Sequence, residues 1–321
     1  MPVNSHPTLF ITNFVINRTQ SVKYTCYSST ETTVPLSTTA APSSAFSSFP
    51  SAVVCLSSTR HINTGTPQGT VISPFIFTLY TNDCQTKNDE TYLIKFSDDT
   101  ALVDLSDSVH TFESEVQSFV DWCSVNHLEL NVGKTKEMVV DFKRNKTDFT
   151  PLAIKGQKVE RVHEYKYLGT VVDDKLNFHV NTDRVYSKCR QRMHMLYQLR
   201  AHMVSSEILE KCYRAFIESV LTFCFIAWFG SIGVKERARL NSIVNVCSRI
   251  IGTKQRSLAD LMGTRATDKA VKIRNDPTHV LTHTFEALPS GRRLRVPKCR
   301  TKRFQSTFIP SVISLLNAQQ Q

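Results

Sequence analysis

The spacing of apolar residues changes near residue 180, and this change constrains the fold more than any other feature of the chain. Between about residues 63 and 180, short apolar or β-branched runs alternate with turn signals, whereas after 180 apolar residues recur every three or four positions. The first pattern is typical of strands and the second of amphipathic helices. We therefore predict an α+β chain, with an antiparallel sheet and its helices followed by an α-helical bundle.

The sharpest local feature is a pair of aspartates in a predicted hairpin. Residues 92–96 and 101–105 read as strands that flank the turn Ser97-Asp98-Asp99-Thr100. Adjacent carboxylates repel each other, and a Mg²⁺ ion, which prefers oxygen ligands, would relieve this repulsion. Such pairs are also common in ordinary exposed turns, and we assign the second pair of the chain, Asp173-Asp174, to a turn of that kind. The residues alone leave both interpretations of the first pair open.

Four apolar faces predict helices. Their residues are Val109, Phe112, Val116, Phe119, Val120 and Cys123; then Val185, Cys189, Met193, Leu196 and Leu199; then Ile208, Cys212 and Phe216; and finally Leu240, Ile243, Val244, Cys247 and Ile251. The third helix would start at Ser205 or Ser206 with Glu207, and Gly252 would end the fourth. The last three helices would form one bundle. The uncharged stretch 219–234 is too short to span a bilayer, so we predict a buried helix there and no membrane partner.

Charge divides the chain into two unlike halves. Residues 1–180 hold 15 Lys and Arg against 19 Asp and Glu, a formal charge of −4, while residues 181–321 hold 24 against 9, a formal charge of +15. The basic half favours a polyanionic partner, most simply nucleic acid, although a solvated basic surface has the same composition. Nine cysteines without a C-x-x-C pair exclude zinc fingers and ribbons. With no signal sequence at the N-terminus, they predict an intracellular setting, nuclear or cytoplasmic.

Four blocks, in this order, resemble the reverse transcriptases of non-LTR (LINE-type) retrotransposons. They are Gly65-Thr66-Pro67-Gln68-Gly69-Thr70-Val71-Ile72-Ser73-Pro74, similar to motif B; Phe96-Ser97-Asp98-Asp99, similar to motif C; Leu130-Asn131-Val132-Gly133-Lys134-Thr135, similar to motif D; and Tyr165-Lys166-Tyr167-Leu168-Gly169, similar to motif E. The resemblance covers roughly residues 63–321. It implies a partial right-hand polymerase palm at 63–180 and a helical, thumb-like bundle at 181–255. Residues 1–62, rich in Ser and Thr, would be poorly ordered, and 256–321 would be a basic C-terminal extension.

The resemblance also implies roles for individual residues and the partners they would meet. An RNA template and a DNA primer would be the partners, and Mg²⁺ the cofactor; no oligomeric state follows from it. The implied roles are metal ligation by Asp98 with Asp99 beside it; template-base and nucleotide contact by Gln68 and Gly69; protonation of the leaving pyrophosphate by Lys134; primer grip by Leu168 and Gly169; and nucleic-acid backbone contact by Arg292, Arg293 and Arg295.

One departure from the family pattern bears directly on activity. The pattern includes a further aspartate, in motif A upstream of motif B, but here the first Asp is Asp83 and the sole earlier carboxylate is Glu31. Two carboxylates on one turn would hold one Mg²⁺ weakly, whereas in-line nucleotidyl transfer requires two positioned metals. We therefore predict that this chain alone has no measurable polymerase activity. Without a motif A strand, we also expect the palm sheet to expose an edge.

Two other functions remain open from the sequence. The first is a nucleic-acid-binding module without chemistry, in which the bundle and the basic extension hold RNA or DNA. The second, more remote, follows from a resemblance of residues 182–253 to the N-terminal segment of AlkB-type DNA-repair homologues, which would imply Fe(II) and 2-oxoglutarate chemistry. That chemistry needs an H-x-D/E pair, and His127-Leu128-Glu129 is the only such triplet. The polar end of a helix explains the triplet more simply.

Overall fold

The computed structural model describes residues 71–105, 109–142 and 150–319, together with the backbone of three short strands nearer the N-terminus. The strands are β1 (Thr8–Asn13), β2 (Tyr24–Thr25), β3 (Val54–Cys55), β4 (Thr91–Phe96), β5 (Asp99–Asp104), β6 (Lys136–Val139), β7 (Ala153–Ile154), β8 (Gln157–Lys158), β9 (Glu160–Arg161), β10 (Glu164–Tyr167) and β11 (Thr170–Asp173). The α-helices are α1 (Ser73–Tyr80), α2 (Val109–Val125), α3 (His179–Ala201), α4 (Ser206–Tyr213), α5 (Ser219–Leu221), α6 (Phe225–Trp228), α7 (Val234–Ile251), α8 (Leu258–Arg274), α9 (Lys302–Gln305) and α10 (Phe308–Gln319). The chain is α+β, as its sequence predicts. We call 71–178 the strand-rich part and 179–319 the helical part.

Five strands form the main sheet, in the spatial order β4-β5-β1-β6-β9. The pairings β4–β5, β5–β1 and β1–β6 are antiparallel, and the short β9 runs parallel to β6. β1 occupies the edge that the sequence led us to expect to be exposed, because it pairs with β5 from Thr8 opposite Asp104 to Asn13 opposite Asp99. The outer edge of the sheet is β4 instead, where Tyr92, Ile94 and Phe96 are exposed.

Helix α2 covers one face of the main sheet. Its predicted apolar face, including Phe112, Val116 and Phe119, is buried in one core with Leu102 of β5. Strands alternate their side chains between two faces, so Asp99 and Ala101 of β5 project to the face opposite α2. The strand-rich part therefore has one face buried under a helix and another that carries the aspartate.

The three helices α3, α4 and α7 share a second core, as predicted, but the face predicted for α4 was wrong, because Ile208 and Phe216 are exposed and the neighbouring positions are buried instead. The core contains residues from all three helices: Cys189, Leu196, Leu209, Tyr213, Leu240, Ile243, Val244, Cys247 and Ile251. α4 begins directly after its N-cap Ser205, as predicted. α7 ends where Gly252 adopts a left-handed φ of 86° and donates its N–H to the carbonyl oxygen of Ser248 at 2.9 Å.

The prediction of one buried helix at 219–234 was wrong. α5 ends at Leu221 and α6 begins at Phe225, because Cys224 between them has a left-handed φ of 47°. Phe225, Trp228 and Phe229 are nevertheless buried, and the indole N–H of Trp228 donates to the carbonyl oxygen of Phe223 at 2.9 Å. The ring of Phe223 itself is exposed, so the interrupted segment buries three of its four aromatic side chains. None of the described helices is both long and apolar enough to cross a membrane.

Residues 258–319 build a third core instead of trailing from the bundle. The residues in it come from α8, α10 and the loop between them: Ala266, Ala270, Ile273, Phe285, Leu294, Val312, Ile313 and Leu316. The end of the chain also returns to the strand-rich part. There the Arg303 guanidinium lies 4.6 Å from the ring centroid of Phe142 and donates to the carbonyl oxygen of Lys175. In the helical part, Gly230 packs so closely on the Ser306 carbonyl that a Cβ would overlap it.

Candidate functional site

The predicted β4–β5 hairpin is present, with a tighter turn than its sequence suggested. Phe96 pairs directly with Asp99, so only Ser97 and Asp98 form the loop. Ser97 takes a left-handed φ of 53°. Asp98 is exposed at the tip, while Asp99 is half-buried as the first residue of β5.

The two carboxylates of this hairpin have no partner among the described residues. Neither accepts a hydrogen bond or forms an ion pair there. Burial raises the pKa of Asp99, and the negative charge of Asp98 raises it further. Both causes disfavour the charged form, so a bound cation would favour it. The pair thus has the electrostatics of an anionic site that lacks its counter-charge within the described part of the chain.

Lys134 lies in the turn before β6, at the same end of the main sheet as Asp99. β5 and β6 are both antiparallel to β1, so they run parallel to each other and both begin at this end. One strand separates them, which places the two backbones about 10 Å apart. The backbone N–H of Lys134 donates to the side-chain oxygen of Asn131 at 3.0 Å, which fixes the turn, and the lysine itself is exposed.

The other predicted hairpin joins β10 to β11 through Leu168 and Gly169. Both have left-handed φ angles, 44° and 92°, as a two-residue hairpin turn of this kind requires. A Cβ on Gly169 would lie 2.9 Å from Cε1 of Phe223, so the turn packs against the helical part. Asn181 of α3 also accepts the backbone N–H of Val171 at 3.1 Å. The tip is therefore held from two sides.

Tyr167 is a residue of this region that sequence reasoning missed. Its hydroxyl oxygen is buried and has no hydrogen-bond partner within the described residues. Burial raises the pKa of Tyr167, and the negative charge of Asp99 raises it further. The tyrosine thus links the β10–β11 hairpin to the aspartate pair. Its position could have indicated this, because Tyr167 is the last strand residue before the Leu168-Gly169 turn. From that block of the sequence we assigned roles only to the two turn residues.

The second aspartate pair is not in the exposed turn that we predicted. Asp173 is buried and accepts three backbone N–H groups, from Lys175 and Asn177 at 3.1 Å each and from Phe178 at 2.7 Å. Oδ2 of Asp174 lies 2.9 Å from Nδ1 of His163. The pair organises the connection from β11 to α3, which the identities of the neighbouring side chains did not indicate, because the donors are backbone groups.

Two predicted sites, the nucleotide contact at Gln68 and Gly69 and the metal-binding triplet at His127, are not found beside the aspartate pair in the described residues. Gln68 and Gly69 lie outside the described residues. His127 lies two positions after the end of α2 and has a left-handed φ of 54°, and Leu128 donates its N–H to the carbonyl oxygen of Cys123 at 2.8 Å, so the triplet belongs to the polar end of a helix. Within the described ranges, no group of three or more His, Cys, Asp or Glu side chains could hold a metal ion. A dioxygenase triad is therefore not assembled in that part of the chain.

The three predicted backbone-contacting arginines lie in a short hairpin at residues 286–295. Arg292, Arg293 and Arg295 are all exposed. A bridge between Ala287 and Leu294 pairs the two arms, and the side chain of Leu294 is buried in the third core. The hairpin is thus a fixed element on the surface of the helical part.

Comparison with family models identifies one domain of this chain. Residues 28–172 match the family described as reverse transcriptase (RNA-dependent DNA polymerase). The matched range contains the β4–β5 hairpin, the Lys134 turn and the β10–β11 hairpin. The chain therefore carries a reverse transcriptase domain.

Curated relatives define the branch of that family. The chain is 25% identical over 202 residues to the RNA-directed DNA polymerase from mobile element jockey of Drosophila funebris, covering 59% of this chain and 21% of that protein. It is 26% identical over 148 residues to the probable RNA-directed DNA polymerase from transposon BS of Drosophila melanogaster, covering 43% of this chain and 16% of the relative. The reverse transcriptase domain belongs with those of non-LTR, LINE-type retrotransposons, as its motifs predict. The chain spans about a fifth of the length of these relatives, and no solved structure matches it.

Proposed function

We propose that residues 63–180 are a partial polymerase palm, that 181–255 are a thumb-like bundle, and that 256–321 are a basic extension that helps to hold nucleic acid. One observation carries this proposal: the aspartate-tipped hairpin, Lys134 and the start of β6 share one end of the main sheet. The partners are an RNA template and a DNA primer. The family match and the basic helical part support them.

In this proposal the aspartate pair, Lys134 and the Leu168-Gly169 turn have different roles. Asp98 and Asp99 bind the metal, and Lys134 protonates the departing pyrophosphate. The turn at Leu168 and Gly169 grips the primer. Its packing on Phe223 supports this role, because a turn held against the bundle keeps the primer end in place.

The remaining positions contact the nucleic acid directly. Gln68 and Gly69 lie against the template base and the incoming nucleotide, where the absence of a Cβ on Gly69 allows close approach. Arg292, Arg293 and Arg295 contact the backbone, which fixes the nucleic acid without reading its sequence.

Mg²⁺ fits the aspartate pair as a partial site. Mg²⁺ is commonly held by one or two carboxylates, with water and phosphate oxygens completing its shell. The exposed Asp98 and the adjacent Asp99 offer that number of ligands, and a cation would stabilise the charged form of Asp99, whose pKa burial and the charge of Asp98 raise. When bound, the ion supplies neutralisation of phosphate charge. The chain's own residues hold it and orient the phosphates.

We propose further that this chain alone does not extend a primer. In-line transfer needs two positioned metals, and no third carboxylate joins the pair in the described residues. The test is primer extension on an RNA template with Mg²⁺ or Mn²⁺, with Asp98→Ala as the matched control. We expect the two proteins to give the same background. Robust extension that Asp98→Ala abolishes would contradict the proposal.

A second candidate is a nucleic-acid-binding module without chemistry, and the exposed arginine hairpin favours it. Binding of a labelled RNA would then fall steeply with salt, because phosphate contacts release counterions. The two candidates separate on the aspartate pair. In the binding module, Asp98→Ala with Asp99→Ala leaves binding unchanged both with and without Mg²⁺. In the polymerase-derived domain, Mg²⁺ strengthens binding of a primer–template, and the double variant removes that gain.

A further inference from the structure

The hairpin at residues 286–295, which we call the basic hairpin, has a well-defined backbone. Leu288 donates its N–H to the carbonyl oxygen of Arg293 at 2.7 Å, and Arg295 donates to that of Glu286 at 2.8 Å. Gly291 closes the turn with an N–H bond to the Leu288 oxygen at 2.8 Å. The φ of Gly291 is 67°, a left-handed conformation that glycine adopts without strain. The backbone that carries Arg292 and Arg293 is therefore ordered.

Asn317 of α10 holds the basic hairpin from outside. Its Oδ1 accepts the N–H of Leu294 at 2.8 Å, and its Nδ2 donates to the carbonyl oxygen of Leu294 at 3.0 Å. In an antiparallel pair, every second residue directs its N–H and C=O away from the partner strand. Leu294 is such a residue, so Asn317 satisfies the two groups that a third strand would satisfy. One side chain thus attaches the hairpin to the third core.

The three arginines of the hairpin are not equivalent. Nη1 of Arg295 lies 3.6 Å from Oε2 of Glu286, so its charge is partly compensated. The guanidinium groups of Arg292 and Arg293 are exposed and have no hydrogen bond or ion pair within the described residues. Two uncompensated guanidinium groups on an ordered turn contribute little to folding. They suit an anionic ligand, because a guanidinium presents paired donors to phosphate oxygens.

We infer that Arg292 and Arg293 form a two-point clamp for the phosphodiester backbone of a nucleic acid, and that Asn317 is the positioning residue of this clamp. The inference rests on the proposed function, which makes nucleic acid the relevant polyanion. Ordering the turn before the ligand arrives lowers the entropy lost on binding. Arg295 also contacts the backbone but is not one of the two points of the clamp, because Glu286 already compensates part of its charge.

The first test compares two double variants that remove the same charge from two different hairpins. Arg292→Gln with Arg293→Gln changes the basic hairpin, and Lys155→Gln with Lys158→Gln changes the exposed β7–β8 hairpin. Binding of a fluorescein-labelled single-stranded RNA is followed by anisotropy between 50 and 200 mM salt. We expect the arginine variant to bind roughly tenfold more weakly at low salt, with a log–log salt slope smaller by about 1.4. The lysine variant should match the unmodified chain.

The second test changes Asn317→Ala in the full chain. All the charges remain, so we expect the salt slope to stay the same while affinity falls about threefold through the lost preordering. Hydrogen exchange of the Leu294 amide should rise at the same time. A merely structural role would change exchange and unfolding without changing affinity. If Asn317→Ala does not fold, the arginine variant alone decides, because its two substitutions are on exposed side chains.

The outcomes separate this inference from the proposed function. If the unmodified chain does not bind RNA or a matched single-stranded DNA at low salt, the proposed function fails. If it binds and the arginine and lysine double variants behave alike, the clamp is wrong and the proposed function stands. Equal losses on RNA and DNA support the clamp, since backbone contacts carry no base information.

Discussion

The aspartate pairs at 98–99 and 173–174 are the same dipeptide in two hairpin regions, and their surroundings give them opposite roles. Asp173 is buried, and three backbone N–H groups bind its carboxylate. Asp98 and Asp99 have no such donors in the described residues, and burial with mutual repulsion raises the pKa of Asp99. A carboxylate whose hydrogen-bond donors all come from the fold stabilises the structure. A carboxylate without such donors is available to bind a ligand.

The turns of the two hairpins differ in the same way. The turn at Leu168 and Gly169 packs on Phe223 of the helical part, whereas the turn at Ser97 and Asp98 is exposed. Substitutions at the second pair and its turn should therefore act on stability, and those at the first should act on ligand binding. The following four changes test that division.

The largest effect is expected for Asp173→Ala. One buried and two part-buried backbone N–H donors lose their acceptor, which should lower the free energy of unfolding by about 3 kcal/mol. Urea denaturation followed by circular dichroism measures this. Asp98→Ala is the matched control and should change stability by less than about 0.5 kcal/mol. Equal losses in the two variants would remove the distinction between the pairs.

Gly169→Ala should cost about 2 kcal/mol, because a left-handed φ of 92° adds to an overlap with Phe223. Gly156→Ala separates the two causes. Its φ is 77°, but no atom lies within 4 Å of the position of a Cβ, so only the backbone cost of about 1 kcal/mol remains. The same denaturation experiment compares them. If the two variants lose the same stability, the turn is not held by Phe223.

Ser97→Gly should stabilise the chain by about 0.5 kcal/mol, because glycine adopts the left-handed φ of 53° without a Cβ penalty. Thermal unfolding measures the change as a small rise in Tm. The matched control is Ser290→Gly in another exposed turn, at a residue whose φ is not positive, and it should not stabilise. A loss of stability in Ser97→Gly would mean that the serine side chain supports the hairpin tip.

Asp99→Asn should give the smallest effect, visible as a pH dependence. The folded-state pKa of Asp99 is raised, so the stabilisation that its protonated form provides is complete below the ordinary pKa of 3.8 and is lost as pH rises through the folded value. The variant does not titrate, so its stability relative to the unmodified chain should increase between pH 3 and pH 7. Asp98→Asn removes the neighbouring negative charge, the smaller of the two causes of the raised pKa of Asp99, while the burial of Asp99 persists. Part of the pH dependence of stability should therefore remain in that variant. A difference that is constant with pH would show that Asp99 is not perturbed.

Sequence predicted the elements whose cause is local. The face from Phe112 to Cys123 predicted α2, and Gly252 predicted the end of α7, since both depend on neighbouring positions. Features that depend on a special backbone conformation or on backbone donors were missed. The break at Cys224 depends on a left-handed φ, and the role of Asp173 depends on backbone N–H groups two to five positions further along, neither of which the spacing of apolar residues reveals.

The candidate site likewise contains one part that the sequence predicts and one part that it does not. The Asp98-Asp99 turn could be read from its own residues. The nearness of Tyr167 to Asp99 could not, because it depends on how a separate hairpin packs beside the main sheet.

The contact between Arg303 and Lys175 has a consequence for synthesis on the ribosome. The two residues are 128 positions apart, so this contact cannot form until the helical part has been translated as far as Arg303. Nascent domains generally fold from the N-terminal side as they emerge, and exposed strands attract other chains during that time. Phe142, which stays partly exposed even in the finished fold, therefore lacks its contact with Arg303 while the helical part is being added. Slowing translation beyond residue 180 should lengthen the period in which a nascent chain needs a chaperone.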